Sequence, residues 1–354
     1  MDIDGAYYNS IDLLKRMIAI PAFSREEAAL ADILEKYFSE LGFSPNRKGN
    51  NIWLLSANWD AQKPVVLLNS HIDTVRPSDA WQKNPFSPEE TDGRLYGLGS
   101  NDAGASLTAL FQTFLYLNET DRENNFIFLA SAEEEVSGKN GIEAVLPDLP
   151  KIALGVVGEP TSMQPAIAEK GLLVLDGKVR GKAGHAARNE GENAIYKALP
   201  VIEWFKNKQF DKISPLLGPV KMTVTQIAAG SQHNVIPDEL RFTVDVRTNE
   251  FYSNPTILEE IAAECGCEIS ARSVRLNSSS IEREHPLVER ACLLGLKPFG
   301  SPTLSDRALM NFPALKIGPG DSARSHTADE FIFTSEIREA IDIYIRLLSN
   351  LKLA

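Results

Sequence analysis

The fold is decided by the segment PVVLLNSHID, residues 64–73, in which an apolar run ends in a histidine and an aspartate. Residues 65–68 are all apolar, and His71 and Asp73 follow shortly after them. A strand that is apolar on both faces suits a sheet covered by helices on both sides. Imidazole and carboxylate are the usual ligands of zinc or a similar divalent ion in a catalytic site. The segment therefore predicts a buried strand that delivers metal ligands to one edge of an α/β sheet.

Further apolar runs along the chain end at side chains of the same kind. They are NFIFLAS (125–131) before Glu133, Glu134 and Glu135, IALGVV (152–157) before Glu159, and PALKIG (313–318) before the loop with His326. In open α/β sheets, sites form where the carboxyl ends of the strands meet the loops. A Glu triplet alone is typical of a solvated turn, but a buried strand that ends in three acids needs cations to offset their repulsion. With Asp102 of GLGSNDAGA (97–105), the set has enough ligands for two ions and one spare carboxylate.

The composition excludes several classes of protein. A chain of 354 residues with 43% hydrophobic and 24% charged residues is typical of a soluble globular protein with two domains. A net charge of −12 without a run of Lys or Arg disfavours nucleic acid as a partner. Neither a secretion signal nor a membrane span is recognisable, and the three cysteines favour a reducing compartment. We therefore expect a cytoplasmic protein, and we interpret Cys265-Gly-Cys267 as packing because nothing nearby completes a metal site.

The order of the predicted elements indicates an inserted domain. Helices and strands alternate through the first part of the chain, as in an α/β sheet that is mostly parallel with helices on both faces. The elements of residues 169–277 follow the order β-α-β-β-α-β of a ferredoxin-like α+β module. We therefore predict a catalytic domain formed by residues 1–168 and 278–354, with residues 169–277 inserted into it.

A local signal predicts where an early helix begins and ends. Ser24-Arg-Glu-Glu27 has the pattern of a capping box, and residues 28–43 carry helical apolar spacing. Gly42 is the expected stop of this helix.

The chain resembles a family of metallopeptidases and deacylases, the M20 family, which includes acetylornithine deacetylase, succinyl-diaminopimelate desuccinylase, aminoacylase and a glutamate-releasing carboxypeptidase. The resemblance runs essentially from end to end. Its motifs are His71-Ile-Asp73, Gly97-x-Gly99-x-x-Asp102, Glu134-Glu135, Gly158-Glu159-Pro160-Thr161, Gly184-His185 with Gly191-x-Asn193, Asn234-Val-Ile-Pro237 with Asp245-x-Arg247, and Gly318-Pro-Gly320 with His326. One motif departs from the pattern, because Ala103-Gly104-Ala105 stands where many relatives have a Lys or a second Gly. The departure leaves the ligands intact and bears on the choice of subfamily.

The resemblance implies two Zn2+ ions per subunit, which Co2+ or Mn2+ could replace. The implied ligands are His71 and Glu159 for one ion, Glu135 and His326 for the other, and Asp102 as the bridge. Asp73 would hydrogen-bond the second imidazole nitrogen of His71 and so orient the ring. Glu134 would be the general base; a register shifted by one residue would give that role to Glu133. The peptide bond Asp102-Ala103 is expected to be cis.

Residues of the inserted domain are implied to assist catalysis. In the family, the histidine that matches His185 reaches the active site of the partner subunit, so the resemblance implies a homodimer through this domain. Asn234 is expected to contact the same substrate oxygen as His185. Arg247 could bind the α-carboxylate of the substrate as a bidentate donor, or it could form a surface ion pair with Asp245.

The activity implied by the resemblance is metal-dependent release of an amino acid from its N-acyl derivative. N-acetylornithine deacetylation, a step of arginine biosynthesis, is the expected reaction, and a succinyl group or citrulline could replace acetyl or ornithine. A metal-dependent dipeptidase or aminopeptidase and a succinyl-diaminopimelate desuccinylase are the alternatives. A binding protein without catalysis is disfavoured because the base and every ligand are present. Specificity would depend on loop side chains such as Ser322 and Arg324.

Overall fold

A computed structural model describes residues 2–188 and 190–353, and its contacts divide them into two compact units. The first unit comprises the described residues up to Ile167, Ile281–Phe299, and those from Ser305 onward. The second unit comprises Ala168–Ser280 and Gly300–Leu304. Residues 300–304 thus join the inserted segment, although the sequence assigns them to the catalytic domain. Within the described residues, no helix is both long and apolar enough to cross a membrane.

Helices and strands alternate along most of the chain. The helices are α1 (Ile3–Ile18), α2 (Ala28–Glu40), α3 (Ala105–Thr120), α4 (Ile142–Val145), α5 (Ala194–Asn207), α6 (Asn254–Glu264), α7 (Pro286–Leu293) and α8 (Thr334–Leu348). The strands up to the second unit are β1 (Asn46–Lys48), β2 (Asn51–Leu55), β3 (Val65–His71), β4 (Glu89–Thr91), β5 (Arg94–Tyr96), β6 (Asn125–Ser131), β7 (Leu154–Val157) and β8 (Ala166–Glu169). The later strands are β9 (Gly171–Arg180), β10 (Gly184–His185), β11 (Lys221–Ala229), β12 (Val235–Ile236), β13 (Glu239–Thr248), β14 (Glu268–Ala271), β15 (Ser279–Ser280), β16 (Phe299–Ser301), β17 (Ala314–Lys316) and β18 (Phe331–Phe333).

The first unit is built on a mixed sheet in the order β1-β2-β6-β3-β7-β17-β8. Its four central strands, β6, β3, β7 and β17, run parallel, whereas β1, β2 and β8 pair antiparallel with their neighbours. The four apolar runs of the sequence form these central strands and are adjacent in the sheet. The predicted α/β class with a mostly parallel sheet is therefore confirmed.

Alternation along the central strands fills a core on each face of this sheet. Leu68 and Phe128 pack into one cluster with residues of α1, α3 and α8. Leu67 and Ile127 point the other way, into a smaller cluster with residues of α4. Burial of an aliphatic or aromatic side chain contributes about 1.5–3 kcal/mol to stability. Both faces of the strands are therefore fixed, and so are the positions of the residues that follow them.

The start of α2 differs from the prediction. Glu27, the residue before the helix, makes no side-chain capping hydrogen bond, and the Ser24 hydroxyl instead donates to the Asp73 carboxylate at 2.7 Å. The predicted capping box is therefore wrong, because the helix begins at Ala28 with Glu27 at its N-cap position, and Ser24 lies three residues before that cap. The helix ends at Glu40, and Gly42 adopts the left-handed φ of 88° expected of the stop.

The second unit contains an antiparallel sheet in the order β11-β13-β9-β14, with α5 and α6 packed on one of its faces. The element order is the predicted β-α-β-β-α-β, and the short strands β10 and β12 form a separate pair. Strand β11 lies at an edge of the sheet and is largely exposed.

Candidate metal centre and active site

The carboxyl ends of the parallel strands bring a cluster of histidines and acids together in the first unit. His71 ends β3, Glu134 and Glu135 follow β6, and Glu159 follows β7. Asp102 lies in the segment Ser100–Gly104 that leads into α3, and its own backbone is extended, with φ −122° and ψ 96°. Two overlapping groups have ligand atoms within 4.8 Å of one another, and these are His71 with Glu134 and Glu159, and His71 with Asp102 and Glu135. The continuous apolar strands thus deliver the side chains to one edge.

Asp102 lies between the two histidines of the cluster. Its Oδ1 is 3.3 Å from Nε2 of His71, and its Oδ2 is 3.6 Å from Nε2 of His326. Each carboxylate oxygen therefore faces a different imidazole, which is the arrangement that a bridging ligand requires.

Each histidine has a further carboxylate of its own. Nε2 of His326 lies 2.9 Å and 3.1 Å from the two oxygens of Glu135. Nε2 of His71 lies 3.8 Å from Oε1 of Glu159. The donor atoms are thus arranged as two His-carboxylate pairs on either side of Asp102, as the resemblance implies.

The three consecutive acids point in different directions. Glu133 has a left-handed φ of 56°, and its carboxylate accepts a hydrogen bond from the Asn140 amide at 3.0 Å. It therefore faces the turn near Asn140, and a Cβ at Gly138 would collide with it. Glu134 instead faces His71 and Glu159. The geometry supports the register in which Glu134 is the spare carboxylate.

Asp73 supports both the first histidine and the acidic turn. Nδ1 of His71 lies 2.8 Å from the backbone oxygen of Asp73 and 3.6 Å from the carboxylate oxygen Oδ1 of Asp73. The carboxylate accepts hydrogen bonds from the backbone N–H groups of Glu134 at 3.0 Å and Glu135 at 3.1 Å. It also accepts from the Ser24 hydroxyl at 2.7 Å. Asp73 therefore holds the acidic turn as well as the imidazole, a function that the sequence analysis does not anticipate.

Burial and charge shift the pKa of every group in the cluster. Burial raises the pKa of Glu134 well above its usual range, and the charge of Glu159 raises it further. Burial and the charge of Asp102 raise the pKa of Glu159 to about 8. The hydrogen bond to Glu135 raises the pKa of His326 to about 9. Burial disfavours the charged form of His71, but hydrogen bonds to Asp102 and Asp73 outweigh it and raise its pKa well above the usual value.

These shifts reflect the close approach of buried carboxylates to one another and to two imidazoles. Buried acids at this spacing repel each other, and a divalent ion would offset the repulsion more strongly than a proton. The donors are imidazole nitrogens and carboxylate oxygens, the set that suits zinc and related divalent ions. The residues present therefore fit a metal site.

Two buried acids near the cluster are not anticipated by the sequence analysis. Asp306 accepts a hydrogen bond at 2.6 Å from Ser131, the last residue of β6, and burial raises its pKa to about 6. Glu330 accepts backbone hydrogen bonds from the loop that carries Asp102, and burial together with the Asp102 charge raises its pKa to about 8. Neither follows an apolar strand, and only their burial distinguishes them from solvated acids.

The peptide bond Asp102-Ala103 is cis, as expected.

His185, Asn234 and Arg247 belong to the second unit rather than to the unit that contains the cluster. His185 lies in β10, opposite Val235 of β12, and the backbone oxygen of Asn234 accepts from Ala186 N–H at 3.0 Å. His185 and Asn234 are therefore close neighbours. The guanidinium of Arg247 binds both oxygens of Asp245, at 2.8 Å and 3.0 Å. The ion pair that the sequence analysis leaves open is thus formed.

Arg324 is already engaged inside the first unit. Its guanidinium binds both oxygens of Glu336, at 2.8 Å and 2.6 Å, and lies over the rings of Phe331 and Phe333. A bidentate, partly buried pair of this kind holds the guanidinium in one orientation. Arg324 therefore shapes the loop before His326.

Comparison with known proteins places this architecture in one family. Residues 67–350 match the pattern of peptidase family M20/M25/M40. The chain is 28% identical to a succinyl-diaminopimelate desuccinylase of Dechloromonas aromatica, over 98% of this chain and 99% of that protein. It is 26% identical to a protein of the same name from Parvibaculum lavamentivorans, over 96% and 95% of the two chains. Its fold is similar to that of the aminopeptidase PepT from Bacillus cereus, with a TM-score of 0.77, 16% identity, and 97% and 98% of the chains covered.

Proposed function

Since this chain belongs to peptidase family M20/M25/M40 and is a metal-dependent hydrolase of amide bonds, we propose that it removes the acyl group from an N-acyl amino acid. The observation that carries the proposal is the position of Asp102 between His71 and His326, with Glu135 and Glu159 beside them. The product is a free amino acid and a carboxylic acid.

We propose that the cluster holds two zinc ions. His71 and Glu159 would bind one, Glu135 and His326 the other, and Asp102 both. The ions would supply Lewis-acid polarisation of the amide carbonyl and lower the pKa of the attacking water. The two overlapping groups of donor atoms, which share His71, support two positions rather than one.

Glu134 is the proposed general base. It lies within the cluster next to His71 and Glu159, and burial raises its pKa well above the usual range, which strengthens it as a proton acceptor. Glu134 takes a proton from the attacking water and then gives it to the departing amine nitrogen. Asp73 holds the backbone of this turn, so the carboxylate of Glu134 keeps its orientation through both transfers.

The acyl group is proposed to be succinyl. The two curated relatives described above are named for succinyl-diaminopimelate, and each matches nearly the whole chain. This similarity favours the succinyl-diaminopimelate alternative over the N-acetylornithine reaction expected from the sequence. Arg247 is proposed to bind the α-carboxylate of the substrate. Two of its N–H groups already bind Asp245, so the remaining N–H groups would make this contact.

The proposed test compares amine release by zinc-loaded protein from a panel of substrates. The panel contains N-succinyl-diaminopimelate, N-succinylornithine, N-acetylornithine, the corresponding citrulline and lysine compounds, and several dipeptides. The highest kcat/KM on a succinylated amino acid supports the proposal, and the highest value on N-acetylornithine restores the original expectation. Faster turnover of dipeptides than of every acylated amino acid would make the protein a peptidase, the activity named for the structural neighbour.

We also propose a homodimer through the second unit, in which His185 and Asn234 serve the partner's cluster. Strand β11 presents a largely unpaired edge, and Tyr196 and Leu199 of α5 are 71% and 59% exposed. Exposed apolar side chains beside an open sheet edge are typical of an interface. Analytical ultracentrifugation of the purified protein measures its oligomeric state directly. A monomer that remains fully active would contradict the proposed homodimer.

A further inference from the structure

Glu330 is a buried acid that grips the backbone of another loop. Its side chain is only 2% exposed, and its Oε1 accepts from the N–H groups of Asn101 at 2.8 Å and Asp102 at 2.9 Å. Its Oε2 accepts from the N–H of Gly99 at 3.1 Å. Both oxygens are thus turned toward backbone donors of the segment that carries Asp102.

The side chain of Asn101 connects the same segment to the loop before His326. Its amide nitrogen donates to the backbone oxygen of Asp321 at 3.1 Å and to the Ser325 hydroxyl at 3.3 Å. Its amide oxygen accepts from the N–H of Asp321 at 3.2 Å. Ser325 immediately precedes His326, so this amide fixes the approach to the second histidine. Glu330 follows His326 by four residues and closes the connection from the other side.

Glycines make room for these contacts but do not hold the loop by themselves. Gly99 has a left-handed φ of 75°, and a Cβ there would lie 2.7 Å from the side chain of Thr74. A Cβ at Gly320, where φ is 85°, would lie 2.3 Å from the amide oxygen of Asn101. Glycine loses more backbone freedom on ordering than any other residue. The loop therefore depends on side-chain acceptors from outside to keep one conformation.

We propose that Glu330 and Asn101 form a loop clamp that positions Asp102 and His326 for the metal ion they would share with Glu135. The inference rests on the metal centre of the proposed function. Glu330 and Asn101 are positioning residues. Glu330 accepts a hydrogen bond from the backbone N–H of Asp102, and Asn101 donates one to Ser325, the residue before His326.

The loop clamp predicts an unequal effect on the two metal positions. His71 is the last residue of a buried central strand, so its position does not depend on Glu330. His326 is more than half exposed and stands in a loop with a left-handed φ of 59°. Outer partners of metal ligands typically change metal affinity by about 10- to 100-fold when they are removed. We expect a loss of that size at the Glu135–His326 position and a smaller loss at the His71–Glu159 position, which shares only Asp102.

Asp121 offers a matched control for Glu330. It is also a buried acid, 7% exposed, and its carboxylate accepts from the N–H groups of Glu123 at 2.8 Å, Asn124 at 3.0 Å and Asn350 at 2.5 Å. It precedes β6, whereas Glu134 and Glu135 follow the opposite end of that strand. Asp121→Ala therefore removes the same kind of interaction without touching the cluster.

The experiment measures stepwise binding of Zn2+ and Co2+ to metal-free protein by calorimetry and by the visible spectrum of bound cobalt. The variants are Glu330→Ala, Glu330→Gln, Asn101→Ala and Asp121→Ala. Glu330→Ala and Asn101→Ala should lose affinity for one of two equivalents, with a changed cobalt spectrum, and Asp121→Ala should bind as the wild type does. Glu330→Gln should recover part of the affinity, because its amide oxygen can still accept from Asn101 and Asp102.

The outcomes separate the loop clamp from the metal centre on which it rests. If wild-type protein binds fewer than two equivalents, the proposed metal centre fails and the loop clamp falls with it. If the wild type binds two and Glu330→Ala binds both with unchanged affinity and spectrum, the loop clamp alone is refuted. Equal losses in Asp121→Ala and Glu330→Ala would also refute it, since they would reflect general destabilisation. Circular dichroism confirms that each variant is folded before titration, and if Glu330→Ala does not fold, Glu330→Gln and Asn101→Ala decide by the same criteria.

Discussion

Replacement of Asp73 by Asn removes the charge of this side chain and one of the two oxygens that accept hydrogen bonds from the acidic turn. The wild-type carboxylate accepts from the N–H groups of Glu134 and Glu135 and from the Ser24 hydroxyl. An Asn side chain keeps one oxygen and presents N–H donors in place of the other. At least one backbone N–H of the acidic turn then faces a donor and loses its acceptor, because only the Ser24 hydroxyl can rotate to accept.

The magnitude follows from that orphaned group. A buried donor without a partner costs about 1–3 kcal/mol, which is the expected decrease in the free energy of unfolding of the metal-free variant. Converted at 1.36 kcal/mol per factor of ten, the same misfit at the turn would reduce kcat/KM by about 5- to 150-fold. Urea unfolding and steady-state amide hydrolysis measure the two quantities on one preparation.

Ser24→Ala provides the control for Asp73→Asn. It removes one donor to the same carboxylate and leaves both backbone hydrogen bonds in place, so the expected decrease in stability is about 0.5–1.5 kcal/mol with hydrolysis close to the wild-type rate. Full activity of Asp73→Asn, or equal losses of activity in both variants, would refute the assignment of Asp73 to the acidic turn.

Three further predictions concern protons, register and metal. Zinc loading at pH 7 should release protons, because burial raises the pKa of Glu159 to about 8 and Glu135 raises the pKa of His326 to about 9. The apparent zinc affinity should therefore increase as the pH rises toward those values. Calorimetric heats of zinc binding that do not depend on the ionisation heat of the buffer would contradict this. Glu133→Gln should lower stability by about 1 kcal/mol through its contact with Asn140 and leave hydrolysis nearly unchanged, whereas a large fall in kcat would move the base to Glu133. Chelation should abolish hydrolysis and lower the melting temperature, since an ion at 100 times its Kd contributes about 2.7 kcal/mol; an unchanged rate in chelator would rule out the metal centre.

The central sheet could be predicted because its strands carry continuous apolar runs rather than alternating apolar and polar residues. PVVLLN and NFIFLAS have no helical period and end at clusters of polar residues, so the strand and the ligand position are both visible in one stretch. The start of α2 could not be predicted in the same way. The sequence pairs Ser24 with Glu27 in a capping box, but in the structure the helix begins at Ala28 and the Ser24 hydroxyl donates to Asp73, forty-nine residues away. A local sequence pattern does not reveal a hydrogen-bond partner so distant in the chain.

The clustering of the proposed ligands could be predicted for the same reason, and the supporting contacts could not. His71 and Glu159 directly follow strand ends, whereas Glu330 acts on a loop more than two hundred residues earlier in the chain. Arg324 looks like a free cation in the sequence, and the sequence leaves two possibilities open for Arg247, yet each binds a carboxylate in the structure. Charge pairing depends on the tertiary fold, so residue type alone does not separate a substrate anchor from a structural ion pair.

The most direct test of the proposed mechanism is the rate of amide hydrolysis by the Glu134→Ala variant at equal metal content. Two equivalents of zinc should remain bound, because Glu134 is not among the proposed ligands, and the protein should stay folded. Loss of a general base typically lowers the rate by about 10²- to 10⁴-fold, and we predict a decrease in kcat of this size on the best N-acyl amino acid. A metal-loaded Glu134→Ala variant that hydrolyses the substrate at the wild-type rate would contradict the proposed chemistry of this cluster.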